Sequence, residues 1–171
     1  MPDNARDAMF GRIRRALGVS GDEADRPDGP VTEIHKFDIT DPRRTEYLAS
    51  GSIEGYLLNQ FAMDEHEEIL RVASTTTPAW WGSGSESESR ITMLREIGDD
   101  LVRVGMIDGL GETEQIYSVR FMGDVAYVVT FRQTDPLYTV DLSDPRSPRL
   151  LGELKIPGYS AYLHPIADDR L

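Results

Sequence analysis

The side chains most often used in catalysis are few in this 171-residue sequence, and they are widely separated. Cysteine is absent, which excludes thiolate nucleophiles and cysteine-bound metals. The three histidines, His35, His66 and His164, have none of the spacings that bring two imidazoles to one metal ion. Neither Ser118 nor Ser160 stands in the Gly-x-Ser-x-Gly turn of a hydrolase nucleophile. We therefore predict no catalytic residue, no metal site and no cofactor, and a protein that is not an enzyme.

Two acidic turns, residues 38–42 and 141–145, could be read as calcium ligands. Calcium needs about six converging oxygen ligands, and both turns lack the central glycine and terminal glutamate of an EF-hand loop. Aspartate also caps its own backbone, and proline fixes φ, so the same residues are good turn formers. The turn interpretation is favoured, and calcium binding is the alternative.

Trp80 and Trp81 are the best candidates for a binding surface. They lie in a long serine-rich segment, residues 75–89, between two predicted pairs of strands. Large aromatic side chains on loops are enriched at contact surfaces. The alternative is that one of the two rings packs across the edge of a neighbouring sheet.

Four short runs rich in β-branched and aromatic residues follow one another late in the chain. The runs are residues 117–121, 126–131, 137–142 and 150–156. Turn formers containing Gly-Asp, Asp-Pro and Ser-Pro pairs separate them. This pattern predicts a four-stranded antiparallel sheet.

The sequence repeats this pattern at three distances. Residues 159–163 resemble residues 117–121, which are 42 positions earlier, and residues 101–109 align with 150–158 at a shift of 49. A shift of 103 carries Asp38 onto Asp141 and the following strand onto its later counterpart without a gap. Four-stranded sheets repeated every 40 to 50 residues, roughly, are typical of β-propeller blades.

We therefore predict an all-β fold of propeller-type, four-stranded antiparallel blades, preceded by a short amphipathic helix. The predicted units are an N-terminal helix (1–18), a flexible linker (19–30) and a partial propeller domain (31–171). The propeller domain divides into a part blade (31–55), a blade (56–109), a second blade (110–157) and the start of a further blade (158–171). The four units of the propeller domain are expected to contain two, four, four and one strands, and the first strand of the blade 56–109 is predicted over residues 57–64. Because a closed propeller needs roughly four or more blades, we expect a fragment of a larger propeller.

The N-terminal stretch differs from the rest of the chain in the spacing of its apolar residues. Its small and apolar residues recur at helical spacing, at Ala5, Ala8, Met9, Ile13, Ala16 and Leu17. Residues 4–18 resemble the N-terminal helix of bacterial lactate-utilization protein C and related LUD-domain proteins. That resemblance implies, as an alternative function, a role associated with lactate utilization.

Charge and hydropathy narrow the choice of partners. The formal net charge of −12 argues against nucleic acid and anionic membrane surfaces, both of which select basic patches. The sequence contains no apolar run long enough to span a membrane. Arginines interrupt every apolar run near the start, so the chain as written predicts no signal peptide and a cytoplasmic protein.

Several runs are similar to the prokaryotic β-propeller domain family over about residues 31–171. The runs are residues 34–37, 55–65, 116–124, 127–137 and 151–160. Members of that family are often described as secreted proteins containing a C-terminal β-propeller domain. The resemblance implies a propeller fold and a secreted or cell-surface location.

The sequence as a whole favours a non-catalytic β-propeller module for binding or interaction. Its expected partner is another protein, or a second copy of the chain, bound through the open edges of the end blades. A truncated gene product without independent function is the remaining alternative.

Overall fold

The structure, a computed structural model, describes residues 29–76, 87–131, 135–156, 158, 160–167 and 170–171. The predicted N-terminal helix, nearly all of the predicted linker, and both Trp80 and Trp81 lie outside these residues. Ten β-strands and one short 3₁₀ turn, Gln60–Ala62, lie within them. The strands are β1 Val31–Asp38, β2 Glu46–Glu54, β3 Met63–His66, β4 Ile69–Thr75, β5 Ser89–Ile97, β6 Asp100–Leu110, β7 Gln115–Met122, β8 Val125–Phe131, β9 Asp135–Asp141 and β10 Arg149–Ile156.

These strands form a six-stranded sheet, in the order β1-β2-β6-β5-β4-β3, and a four-stranded sheet, in the order β10-β9-β8-β7. The six-stranded sheet consists of a hairpin and four antiparallel strands, which we call the first sheet; the four-stranded sheet is the second sheet. β1 and β2 make the hairpin, β3 to β6 the first sheet, and β7 to β10 the second sheet, each in chain order. The strand pairing between the hairpin and the first sheet is a parallel bridge between Ser50 in β2 and Asp100 in β6. Four antiparallel strands in chain order are the meander of a propeller blade. The predicted all-β, blade-type fold is confirmed.

The 103-residue repeat extends to the strand register. From Thr32 to Asp38, each paired residue of β1 and β2 has its counterpart pair 103 positions later in β9 and β10. A β-bulge skips Leu48 in β2 and Leu151 in β10, which are also 103 positions apart. The two hairpins are therefore copies of one structural unit.

Apolar side chains at alternate strand positions bury two clusters between the layers. The cluster between the hairpin and the first sheet contains Ile34, Ala49, Ile53, Val72, Leu94 and Leu101. The larger cluster between the two sheets contains Ala62, Ile69, Ala73, Ile91, Met93, Leu110, Ile116, Val119, Ala126, Val128, Tyr138, Val140 and Leu142. The first sheet thus packs against the hairpin through one cluster and against the second sheet through the other.

The first sheet begins later than its sequence predicts. Residues 57–64 have a strand-like pattern, but the strand is confined to Met63–His66. The Asn59 side chain accepts a hydrogen bond from the Phe61 N–H at 2.9 Å, which caps a 3₁₀ turn over Gln60–Ala62. Because this cap stabilises the turn in place of extended backbone, the strand begins only at Met63.

The first strand predicted for a further blade, residues 159–163, is not formed among the residues that the structure describes. Residues 160–165 have irregular backbone. The Leu163 carbonyl accepts a hydrogen bond from the Arg120 side chain at 3.0 Å, and Pro165 has no N–H to donate. The described strands therefore number ten, against eleven predicted. The limits of the predicted blades remain predictions.

Candidate functional site

An arginine lies against two aromatic rings where both sheets and the C-terminal segment meet. The Arg120 guanidinium carbon is 4.9 Å from the centre of the Phe61 ring and 5.4 Å from that of Tyr162. Its Nε donates to the Leu163 carbonyl at 3.0 Å, and its Nη2 to the Tyr162 hydroxyl at 3.1 Å. His164 stacks on Tyr162, with its Nδ1 3.4 Å from the hydroxyl oxygen. We call Phe61, Arg120, Tyr162 and His164 the Arg120 cluster.

The Arg120 cluster joins three separate stretches of chain through one cation. Phe61 belongs to the 3₁₀ turn before β3, Arg120 to β7, and Tyr162 to the C-terminal segment. A cation over an exposed aromatic face contributes about 0.5–1 kcal/mol. Both rings remain partly exposed. Its contacts attach the C-terminal segment to β7.

A second arginine, Arg71, is buried between the two sheets and contacts both. The Arg71 side chain is 3% exposed and donates to the Asp64 carboxylate and to the Gly123 carbonyl. Its guanidinium carbon also lies 5.1 Å from the centre of the Phe121 ring. Asp64 and Arg71 come from paired strands of the first sheet, whereas Phe121 and Gly123 come from the second sheet and its first turn. Because buried charges need such partners, this contact secures the join between the sheets.

The three histidines lie in three different places. His35 contacts Tyr47 within the hairpin, and His66 lies 3.5 Å from the Asp124 carboxylate. His164 belongs to the Arg120 cluster. Among the described residues, no group of three histidine, aspartate or glutamate side chains is placed to hold a metal ion.

The repeated acidic turns direct their carboxylates at the backbone. Asp38 accepts the Thr40 N–H at 2.8 Å, and Asp141 accepts the Ser143 N–H at 2.9 Å. Hydrogen bonds from Ser143, followed by the Arg149 guanidinium, lower the pKa of Asp141 from 3.8 to about 2. The hydrogen bonds from Thr40 likewise lower the pKa of Asp38. Both carboxylates act as turn caps, as the favoured interpretation of the sequence expects.

The outer strand of the second sheet presents apolar side chains to solvent. Leu151 and Leu154 in β10 are 56% and 60% exposed. Leu48, which stands 103 positions before Leu151, packs against the buried cluster between the hairpin and the first sheet. Strand alternation places Leu154 on the same side of the sheet as Gly152. We call Leu151, Gly152 and Leu154 the open face; its counterpart in β2 is covered.

Some of these residues have a signal in the sequence, and others have none. Trp80 and Trp81, the predicted binding residues, lie outside the described residues. Arg71 and Arg120 were missed, since their partners are up to 52 positions away and no local motif marks them. The open face has a signal in the sequence, because the repeat at a shift of 103 aligns Leu151 with Leu48.

Comparisons with known proteins agree with this architecture. A family model described as β-propeller domain matches residues 18–171. An uncharacterized protein of Methanocaldococcus jannaschii is 52% identical over 122 residues, which cover 71% of this chain and 19% of the relative. An uncharacterized protein of Archaeoglobus fulgidus is 46% identical over 138 residues, which cover 81% of this chain and 20% of the relative. No solved structure matches the chain at a comparable level of significance.

These matches limit the earlier expectations in two ways. The chain spans about one-fifth of the length of the relatives that it matches. The comparisons give no support to the resemblance of residues 4–18 to lactate-utilization protein C, or to secretion. Within the described part of the chain, no helix has the length and hydropathy needed to cross a bilayer.

Proposed function

The chain belongs to the β-propeller domain family, and from this premise we propose that it is a non-catalytic interaction module. Its binding surface is the open face of β10, and the partner that fits this surface is a further antiparallel blade. A blade that packs on Leu151 and Leu154 would cover them as the first sheet covers Leu48. The module would then contribute blades to a larger propeller-type assembly.

One observation carries this proposal: the same structural unit occurs twice, once covered and once open. Leu48 packs against buried residues of the first sheet, whereas Leu151, at the equivalent bulge, is 56% exposed. Fully burying a leucine side chain is worth about 1.5–3 kcal/mol, so two uncovered leucines on one strand favour association. The buried counterpart indicates the kind of neighbour, since it is an adjacent sheet that covers Leu48.

The length of the relatives supports a blade as the partner. The matched segments make up 19% and 20% of the relatives from M. jannaschii and A. fulgidus. Proteins of this family therefore have room for further blades beyond the matched segment. In the purified chain, the available partner is a second copy. A role in lactate utilization, secretion to the cell surface and lack of independent function remain predictions from the sequence.

Sedimentation velocity tests the proposal on the whole chain. We expect the wild type to associate as its concentration rises and Leu151→Glu to weaken that association, because a buried unpaired carboxylate is costly. Ile97→Glu is the matched control, since Ile97 is also 56% exposed but lies at the end of β5, away from the open face. Equal association of both variants would contradict the proposal.

A further inference from the structure

The last strands of the hairpin and of the two sheets, β2, β6 and β10, each contain a β-bulge that skips one apolar residue. The skipped residues are Leu48, Val104 and Leu151. The strand register around these bulges, rather than the sequence shift of 49, decides which positions are equivalent. The residues that follow the bulges are Ala49, Gly105 and Gly152. Two of these three equivalent positions are therefore glycine.

Gly105 is glycine because the second sheet approaches it closely. A Cβ atom at Gly105 would overlap the Pro145 carbonyl oxygen and lie 3.1 Å from the Arg146 Cα. Pro145 and Arg146 belong to residues 142–148, which connect β9 to β10. At the join between the two sheets, this position thus receives backbone from the connection between the last two strands of the next sheet.

At the join between the hairpin and the first sheet, the equivalent position has a side chain. Ala49 is fully buried there. The connection that the next sheet brings to this join is shorter, because only residues 98–99 lie between β5 and β6. The Asp99 carbonyl accepts the N–H of Ser50, which follows Ala49, at 3.1 Å. Glycine at this position therefore accompanies a long incoming connection, and alanine a short one.

Gly152 has no such contact with the residues that the structure describes. An added Cβ would meet nothing within 4 Å, and the backbone lies outside the left-handed region that favours glycine. Glycine inside a strand is also less favourable than alanine. Comparison with Gly105 supplies a reason for it, since Gly152 leaves room for a long connection that arrives at the open face.

The chain contains a second connection of this long type. Residues 39–45 lie between β1 and β2 and match residues 142–148 at the shift of 103. The Arg43 N–H donates to the Asp41 carboxylate at 3.0 Å, and the Arg44 N–H donates to the Asp41 carbonyl at 2.9 Å. The equivalent hydrogen bonds 103 positions later both measure 3.0 Å. The 39–45 connection therefore has the turn that packs against a glycine at the existing join.

The 39–45 connection is uncovered where its copy is buried. Ile39 is 73% exposed, whereas its counterpart Leu142 is 3% exposed and belongs to the cluster between the two sheets. Phe37 is half-exposed, whereas its counterpart Val140 is fully buried in the same cluster. This side of the hairpin thus has the apolar residues of a join, but no preceding sheet covers it within the described part of the chain.

We propose that copies of this chain associate head to tail, with the 39–45 connection of one copy packed against Gly152 of another. This inference rests on the proposed function and names the surface of the second copy that covers the open face. One surface belongs to the hairpin and the other to the second sheet, so each copy offers both. Such a contact is heterologous, and it continues into longer assemblies or closes into a ring.

The large side chains of the open face are compatible with this contact. The counterpart of Leu154 by register is Ile107, which packs against the cluster between the two sheets. A side chain of this size therefore fits at a join. In the proposed contact, Leu151 and Leu154 cover Phe37 and Ile39 of the second copy, and both copies lose exposed apolar surface.

Two variants block the two surfaces separately. Gly152→Ala places a Cβ where the carbonyl of Pro42, the counterpart of Pro145, lies in the proposed contact. Ile39→Glu puts an unpaired carboxylate into the contact, where burial makes it costly. Both positions are exposed in the isolated chain, so the circular dichroism spectra at low concentration should match that of the wild type.

Sedimentation velocity then compares both variants with the wild type. We expect the association constant of each variant alone to fall by about tenfold or more. An equal mixture of the two variants should form a one-to-one dimer and nothing larger. The reason is that Ile39→Glu keeps an intact open face, whereas Gly152→Ala keeps an intact 39–45 connection.

Each variant has a control that should associate as the wild type does. Leu150→Ala is the control for Gly152→Ala, since Leu150 pairs with Val140 and therefore lies on the other side of β10. Ile97→Glu is the control for Ile39→Glu, because it adds the same carboxylate at another exposed isoleucine.

A mixture that sediments as the two variants do separately would overturn the inference, and so would undiminished association of Ile39→Glu alone. If Ile39→Glu associates fully while Leu151→Glu does not, the proposed function stands: the open face binds, but not to the 39–45 connection. If Ile39→Glu does not fold, Phe37→Glu on the same side of the hairpin takes its place.

Discussion

Replacing Gly105 with alanine should destabilise the protein by loosening the join between its two sheets. The new Cβ would overlap the Pro145 carbonyl oxygen and come within 3.1 Å of the Arg146 Cα, closer than ordinary van der Waals contact. Both atoms are backbone, so the layers themselves must move. Overpacking of this kind costs about 1–3 kcal/mol, which for a chain of this size lowers the melting temperature by about 2–12 °C.

Gly152→Ala is the matched control, because an added Cβ there meets nothing within 4 Å and the backbone is outside the left-handed region. It should leave stability unchanged or raise it by about 0.4–1 kcal/mol. Urea unfolding followed by circular dichroism measures both variants, and the midpoint should fall for Gly105→Ala with an unchanged slope. Equal midpoints for the two variants would refute the account of the join.

Two further predictions concern charged groups. Hydrogen bonds from Ser143 and Arg149 lower the pKa of Asp141 from 3.8 to about 2, so the contribution of this carboxylate to stability is present above pH 4 and lost as the pH falls towards 2. Acid unfolding of Asp141→Asn should therefore depend less on pH between 4 and 2 than acid unfolding of the wild type. An unchanged dependence on pH would contradict the role of Asp141 as a turn cap. Arg71→Lys should cost about 1.5–3 kcal/mol, since two different guanidinium nitrogens reach Asp64 and the Gly123 carbonyl, and lysine has only one nitrogen to place between them. Arg149→Lys, at a side chain 72% exposed, should cost less than about 1 kcal/mol in the same urea titration.

The repeat explains why most of the fold could be predicted. Apolar alternation and turn residues act locally, so they determine which residues pair across a hairpin. The shift of 103 that aligns Asp38 with Asp141 therefore also reproduces the register and the bulge of both hairpins. The prediction for residues 57–64 was wrong in its bounds, because one side-chain cap on the Phe61 N–H outweighed an apolar pattern.

The candidate site was less predictable because its contacts join distant stretches of chain. Arg120 reaches Leu163 across 43 positions, and Arg71 reaches Gly123 across 52. Neither arginine stands in a motif, and each could equally have been a solvated surface residue.

Amide hydrogen exchange at low and high protein concentration locates the surface through which the chain associates. We expect association to slow amide exchange in β10, at residues 150–155, and to leave exchange unchanged in β4 and β5, in the interior of the first sheet. The Leu151→Glu variant should lose that concentration-dependent protection. Protection that instead appears around Phe61 and Tyr162, with β10 unaffected, would show that the chain binds through the Arg120 cluster and would contradict the assignment of the open face.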